Sequence, residues 1–116
     1  MVIVDTSVWI DHFRHSNNKL VKLLESGEVA IHSMILGELT LGNLKDRSKT
    51  LDLLGRMTRC TEARPEEVFH LIETSKLHGK GIGWVDANLI ASALLSKADI
   101  LTLDKKLMNV FRSKKN

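Results

Sequence analysis

Met1-Val2-Ile3-Val4-Asp5-Thr6-Ser7 opens the chain, and its reading decides the fold. Val and Ile are stiff at χ1 and suit a strand buried on both faces, so Val2 to Val4 reads as a strand of a parallel sheet. Asp5 stands at its carboxyl end. Thr6 or Ser7 supplies a hydroxyl to cap the helix that Val8, Trp9, Ile10 and Phe13 carry on to Arg14. In open parallel α/β sheets, ligands bind in the crevice at the carboxyl ends of the strands. Asp5 therefore sits where such a fold puts its chemistry, and the question becomes which other acids join it.

Outward from this stretch, His15-Ser16-Asn17-Asn18 is a polar loop and cap. An amphipathic helix through Leu20, Val21, Leu23 and Leu24 follows and ends at Gly27. Val29 to Ile31 is a second short strand. Ser33 is expected to cap a third helix, Met34 to Leu41. Asp46 to Met57 reads as a further helix and Met57 to Thr61 as a third strand. Pro65-Glu66-Glu67 starts a helix running to His78, because proline fits the first turn and acids suit the helix dipole there. Gly79-Lys80-Gly81-Ile82-Gly83 follows a helix rather than a strand, so it is read as a flexible loop and not a phosphate cradle. Val85 to Leu95 is apolar almost all round and rich in alanine, the pattern of a buried helix. Asp99 leads into a strand, Ile100 to Leu103, that again ends on an aspartate, Asp104. A short helix, Lys105 to Phe111, and a basic tail, Arg112 to Asn116, close the sequence. Short strands alternating with helices imply the α/β class, a parallel sheet with helices on both faces.

The 116 residues have the length of one domain, residues 1–116, and 43% hydrophobic with 27% charged residues is ordinary globular composition. No apolar run approaches the roughly 18 residues of a membrane span, and the first apolar run has no basic region before it, so no signal peptide is expected. The single cysteine, Cys60, excludes an internal disulfide framework and fits a reducing, cytoplasmic setting. With no evident base beside it, Cys60 reads as core packing. Net charge is +3, from 17 basic and 14 acidic residues, a pointer to an anionic partner. That pointer sharpens if several of the acids gather in one pocket and leave the remaining surface basic.

Four acids interrupt apolar sequence. Asp5 ends the first strand, Glu38 lies in the apolar helix between Ile35 and Leu41, Asp86 sits in the first turn of the most buried helix, and Asp104 ends the last strand. Asp5, Asp86 and Asp104 each have an alternative employment as helix caps, and Glu38 has one at a solvated rim. A buried carboxylate is costly unless paired or metal-bound, and no lysine or arginine is spaced as a dedicated partner. Together the four favour a shared site. Oxygen-only donors suit Mg²⁺ or Mn²⁺.

Four blocks now stand out: Asp5-Thr6-Ser7-Val8-Trp9-Ile10-Asp11, Leu36-Gly37-Glu38-Leu39-Thr40-Leu41-Gly42, Gly83-Trp84-Val85-Asp86-Ala87-Asn88-Leu89-Ile90-Ala91-Ser92-Ala93 and Leu101-Thr102-Leu103-Asp104-Lys105-Lys106-Leu107. In this order, over nearly the whole chain, they resemble the PIN-domain ribonucleases and, among them, the VapC-type toxins of bacterial toxin–antitoxin pairs. The resemblance implies a three-layer α/β/α sandwich around a central parallel sheet. It maps the family's acidic quartet onto Asp5, Glu38, Asp86 and Asp104, and the hydroxyl beside the first aspartate onto Thr6 or Ser7, with Thr102 a weaker candidate. It further implies a Mg²⁺- or Mn²⁺-dependent endoribonuclease that leaves 5′-phosphate and 3′-hydroxyl ends, a homodimer, and a cognate antitoxin whose C-terminal segment lies across the acidic groove. Asn88 stands where the family often has histidine, a departure that bears on substrate handling.

In this reading Asp5 and Asp86 are primary metal ligands, Asp104 and Glu38 hold metal-bound waters or a second ion, and Thr6 or Ser7 fixes Asp5. Arg14, Lys45, Arg47, Lys80, Lys105 and Lys106 are candidates for gripping RNA phosphates. Trp9, Phe13, Phe69 and Trp84 read as core or interface, which counts against a passive single-strand binder. The competing reading is a non-catalytic PIN-fold module that grips RNA or protein; the full quartet argues against it, since such a module has no need of four mutually repelling acids. A small-molecule phosphatase would rest on Asp104-Lys105 alone. Zinc would rest on His12, His15, His32, His70 and His78, of which only His12 and His15 have ligand-like spacing.

Overall fold

The alternation of strands and helices read from the sequence is present in a computed structural model, which describes residues 1–115. The elements are β1 (Val2–Val4), α1 (Thr6–His15), α2 (Asn18–Glu25), β2 (Val29–Ala30), α3 (Ser33–Thr40), α4 (Arg47–Gly55), α5 (Pro65–Thr74), α6 (Trp84–Ser96), β3 (Asp99–Leu101) and α7 (Lys105–Lys114). The basic tail expected from Arg112 begins inside α7, and its last residue, Asn116, lies outside the described residues.

β1 is the middle strand of a sheet ordered β2-β1-β3. Both pairings are parallel, with Val2 opposite Val29 on one side and Asp99 on the other. Successive strand residues point to opposite faces, and Ile3 and Val4 are both wholly buried. Both faces of the sheet are therefore covered, which is the α/β arrangement expected. The chain leaves β1 for β2 on one side and returns to β3 on the other. That reversal puts the switch point, and so the ligand crevice, outside the carboxyl ends of β1 and β3.

α6 shows why the apolar, alanine-rich stretch folds as it does. Seven consecutive residues, Ala87 to Ala93, are buried, and the small Ala and Ser side chains let neighbouring elements approach. Leu89 and Ile90 are fully buried, each contributing roughly 1.5–3 kcal/mol by removal from water. Gly27 follows α2 in the left-handed region, at φ 69°, as its role in ending that helix requires.

Several local expectations are corrected. Asp5, not Thr6 or Ser7, occupies the N-cap of α1. His32 rather than Ser33 caps α3, its Nδ1 accepting the Met34 N–H at 3.0 Å. Met57 to Thr61 forms no strand; it contributes a single parallel bridge, Ile31 to Arg59. α5 stops at Thr74, and Lys76 turns the chain with φ 53°. β3 ends at Leu101, whose carbonyl accepts the Asp5 N–H at 2.9 Å, and Asp104 serves as the N-cap of α7. No described helix is long and apolar enough to cross a membrane.

Candidate active site

Asp5 follows β1, and Thr102 follows β3, at the carboxyl ends of two paired strands. Both hydroxyls of this junction donate to one oxygen of Asp5: Thr102 to Oδ2 at 2.7 Å and Ser7 to Oδ2 at 2.8 Å. Their oxygens in turn accept backbone N–H groups, Asp104 onto Thr102 at 3.0 Å and Leu103 onto Ser7 at 3.1 Å. The loop after β3 is thereby laced to the turn after β1, and Asp5, though only 8% exposed, is held in one orientation. Thr102, the weaker candidate by sequence, is a principal partner of Asp5. Thr6 serves a different acid: its hydroxyl donates to Glu38 Oε1 at 2.6 Å, so two neighbouring hydroxyls hold two different carboxylates.

The other acids are tethered as well. Asp86 Oδ2 accepts the Gly83 N–H at 3.3 Å. Asp104 Oδ1 caps α7, accepting from Lys106 and Leu107. In every case one carboxylate oxygen is engaged by the chain. The second, Oδ1 of Asp5 and Asp86, Oε2 of Glu38 and Oδ2 of Asp104, has no hydrogen-bond partner among the described residues. No lysine or arginine among the described residues makes an ion pair with any of the four.

The acids do feel one another. The Asp86 carboxyl is pushed above the usual aspartate range, first by burial and then by the charges of Asp5, Asp104 and Glu38, with the Gly83 N–H working the other way. They nevertheless stand apart: the described group whose ligating atoms lie within 4.8 Å of one another is His32, Cys60 and Glu62, not the acids. Of the placements open to Glu38 in the sequence, the solvated rim is the one observed. Glu38 is exposed and Leu41 is 89% exposed, while Ile35 and Leu39 carry the packing of α3. Glu38 therefore reaches the crevice from a rim.

The His32 group is already employed. His32 is buried; Nδ1 caps α3 and Nε2 meets Ser92 Oγ at 3.1 Å. Ser33 donates both its N–H and its hydroxyl to Glu62. Burial, then the charge of Glu62, pushes the Cys60 thiol up to about 11, so it stays protonated, in keeping with a packing role. The grouping of His32, Cys60 and Glu62 was not visible in the histidine spacing, because its other two members are not histidines and lie in a different segment from His32.

Of the cations proposed to grip RNA, Lys106 lies against the loop at Gly81: its Nζ would stand 3.3 Å from a Cβ placed there. Arg14 and Lys45 line a separate cavity of about 300 Å³ with Ile10, Phe13 and Leu44. Arg47 instead donates to the Thr40 carbonyl at 2.6 Å, closing the end of α3. Asn88 is buried and donates to the Trp84 carbonyl at 2.9 Å within its own helix. The aromatics divide: Trp9 is core at 3% exposed, but Phe69 and Trp84 are 59% and 41% exposed and stack on each other, ring centres 5.0 Å apart.

A parallel α/β sheet with a carboxylate crevice at its switch point defines a class, and the chain belongs to the PIN-domain family, whose model matches residues 2–112. More particularly, it is 43% identical over 108 residues to ribonuclease VapC32 of Mycobacterium tuberculosis, in two strains, covering 92% of this chain and 87% of that protein. Among solved structures, FitAcB from Neisseria gonorrhoeae superposes with a TM-score of 0.68 at 22% identity, covering 97% of this chain and 94% of that one. PAE2754 from Pyrobaculum aerophilum gives 0.63 at 19% identity, covering 94% and 78%. These two likenesses speak for the fold.

Proposed function

We propose that the chain is a divalent-metal-dependent endoribonuclease, the toxin of a toxin–antitoxin pair, that hydrolyses RNA phosphodiester bonds to 5′-phosphate and 3′-hydroxyl ends. The observation that carries this reading is the set of four carboxylates, each tied to the chain by one oxygen and open at the other, with no lysine or arginine paired to them among the described residues. The name of the 43% identical relative supports the substrate class.

The residues fit Mg²⁺ or Mn²⁺. The donors are all oxygen, and their separation suits an ion that keeps several waters and takes only one or two carboxylates directly. Asp5 and Asp86 would hold the ion, with Asp104 and Glu38 acting through water or on a second ion. A cation held by these residues would supply a water of lowered pKa and neutralisation of phosphoryl charge. Thr102 and Ser7 keep the free oxygen of Asp5 pre-aimed, so little reorganisation opposes the reaction. Glu38, held by Thr6 at the rim, orients the attacking water. Lys80, Lys105 and Lys106 contact phosphates.

The family supports an antitoxin as partner, with a basic or apolar side chain laid across the acids. The same reading takes residues 1–116 as one domain, a homodimer in its working form, acting in the cytoplasm. The test is incubation of antitoxin-free protein with total cellular RNA, with Mg²⁺ or Mn²⁺ and with EDTA, beside Asp5→Asn/Asp86→Asn, followed by sequencing of fragment ends. Metal-dependent cuts at a few sites, absent from the variant, are expected. Intact RNA beside folded, metal-binding protein would favour the non-catalytic binding module.

A further inference from the structure

We propose that the exposed pair Phe69–Trp84 is a stacking platform for a base of single-stranded RNA flanking the cleaved bond, and so a determinant of which sequence is cut. This rests on the ribonuclease reading of the acidic crevice.

The pair bridges α5 and the first residue of α6. Its rings are 5.0 Å apart and inclined by 37°, with more than a third of each residue open to solvent. Neither residue is among those of the described hydrophobic core clusters, so the core does not account for the two rings lying stacked at the surface. Trp84 also walls a cavity of about 190 Å³ with Leu77, His78, Gly79 and Ile82. The loop Gly79 to Gly83 connects the pair to the acids. On one side it runs into Trp84; on the other it lies against Lys106, two residues beyond Asp104, and the Gly83 N–H is bonded to Asp86. Trp84 and Asp86 share a helical turn but sit two residues apart, so their side chains diverge. The ring is therefore close to Asp86 along the chain but on another side of α6, outside the acidic crevice rather than in it. A strand with its scissile phosphate at the acids would bring a neighbouring base, not the reacting group, onto the ring.

Charge puts the nucleic acid on the Trp84 side of the pair. Ser75 to Trp84 carries Lys76, His78 and Lys80 and no acid, whereas Glu66 and Glu73 flank Phe69 three and four residues away along α5, so Trp84 is the ring offered to RNA and Phe69 backs it; neither lysine is in an ion pair among the described residues. Aromatic faces interleaved with cations are how single strands are held without a groove that reads base edges. Gly79 and Gly81, at φ 69° and 78°, let the loop turn in a conformation other residues rarely adopt, and Gly81 leaves room for the Lys106 side chain to lie against it.

The test uses Trp84 as its own reporter, since the only other tryptophan, Trp9, is buried. In an Asp5→Asn/Asp86→Asn background, used so that bound RNA is not consumed, a single-stranded RNA about ten nucleotides long should quench Trp84 fluorescence. An abasic position at the stacked nucleotide should weaken binding by about five- to a hundredfold. Adding Trp84→Ala or Phe69→Ala should shrink that abasic penalty to near nothing, while Trp84→Phe should keep most of it. In otherwise wild-type protein the alanine variants should raise KM more than they lower kcat. An abasic penalty unchanged by Trp84→Ala would overturn the proposal. So would variants that alter the oligomeric state but not RNA affinity, which would assign the pair to a protein interface. Failure of wild-type protein to cut any RNA with Mn²⁺ would instead count against the acidic crevice as a nuclease, and the binding arm would still report on the platform.

Discussion

α3 and α6 each contribute to two polar clusters, and the two clusters are built on opposite rules. At one end, His32 and Ser33 of the α3 start meet Ser92 of α6 and Glu62. Every group there is answered: His32 Nδ1 by Met34 N–H, Nε2 by Ser92, Ser92 also by Ala63 N–H at 3.0 Å, and Glu62 by Ser33. With Nδ1 accepting, Nε2 carries the proton and the ring is neutral above its lowered pKa, so the 3.9 Å approach to Glu62 becomes an ion pair only in acid, once the ring is protonated. At the other end, Glu38 of α3 and Asp86 of α6 join Asp5 and Asp104, and each acid is left half answered. A satisfied buried network specifies a fold; an unsatisfied one at the surface of a crevice specifies a ligand. Sharing helices, the first cluster fixes the frame in which the second is held open.

The largest expected effect separates the two clusters by activity. Asp86→Asn should cut metal-dependent RNA cleavage at least about a hundredfold, the scale of losing one preorganised electrostatic group. The same substitution should raise metal-free stability, because it removes a charge repelled by three others while Asn still accepts from Gly83. Cleavage assays and urea unfolding on one sample check both halves.

Next in size, His32→Ala attacks the satisfied cluster. It removes a helix cap and leaves Ser92 short of a buried partner, at a combined cost of about 2–4 kcal/mol. Urea midpoints should fall accordingly, with metal affinity in the still-folded protein unchanged. A loss of metal binding without a loss of stability would dissolve the distinction between the clusters.

Thr102→Val keeps the shape but removes the hydroxyl that aims Asp5. Mn²⁺ affinity should fall about 10–100-fold, as for other partners that orient metal ligands, measurable by calorimetry. Ser7→Ala should act in the same direction.

The smallest effect is in pH, where the clusters have opposite signs. Burial lowers the His32 pKa below its ordinary 6.5, outweighing the raising effect of Glu62. The unfolded ring therefore takes a proton before the folded one, and stability present above 6.5 is lost as pH falls through it. Burial works to raise Glu62, but the bonds from Ser33 and the charges of His32 and Arg59 leave it below 4.5; its contribution, present above 4.5, is lost lower still. Asp86 runs the other way. Its folded carboxyl takes a proton above 3.8, so the metal-free chain gains stability as pH falls through that raised value. Unfolding free energy against pH should thus decline first around 6.5, a slope that His32→Asn abolishes and Asp86→Asn leaves in place.

The sequence reading and the structure agree where the signal is local. A run of β-branched residues, an alanine-rich apolar helix and proline before two glutamates each carry their own physics, and β1, α6 and α5 are where they imply. Asp5 and Asp86 were legible for the same reason, as acids at ends of such elements. What was not legible is long-range. The Asp5–Thr102 bond spans 97 residues and the His32–Ser92 bond 60, so nothing in the local pattern told Thr102 from an ordinary strand residue or His32 from a possible ligand. Glu38 could not be decided between a buried face and a solvated rim, because Ile35 and Leu41 share its helical spacing, and only the structure shows that Leu41 lies past the end of α3 in solvent. Met57 to Thr61 was read as a third strand, yet among the described residues a single bridge reaches it, from Ile31 at the end of the edge strand β2.

The central claim is that the four acids are held open for a cation, and unfolding of wild type and Asp86→Asn with and without Mn²⁺ tests it most directly. The account predicts a crossing: without metal the variant is the more stable, and with Mn²⁺ at about 100 times its Kd the wild type gains about 2.7 kcal/mol and overtakes it. A variant less stable than wild type in both conditions, with no shift on adding Mn²⁺, would contradict the account.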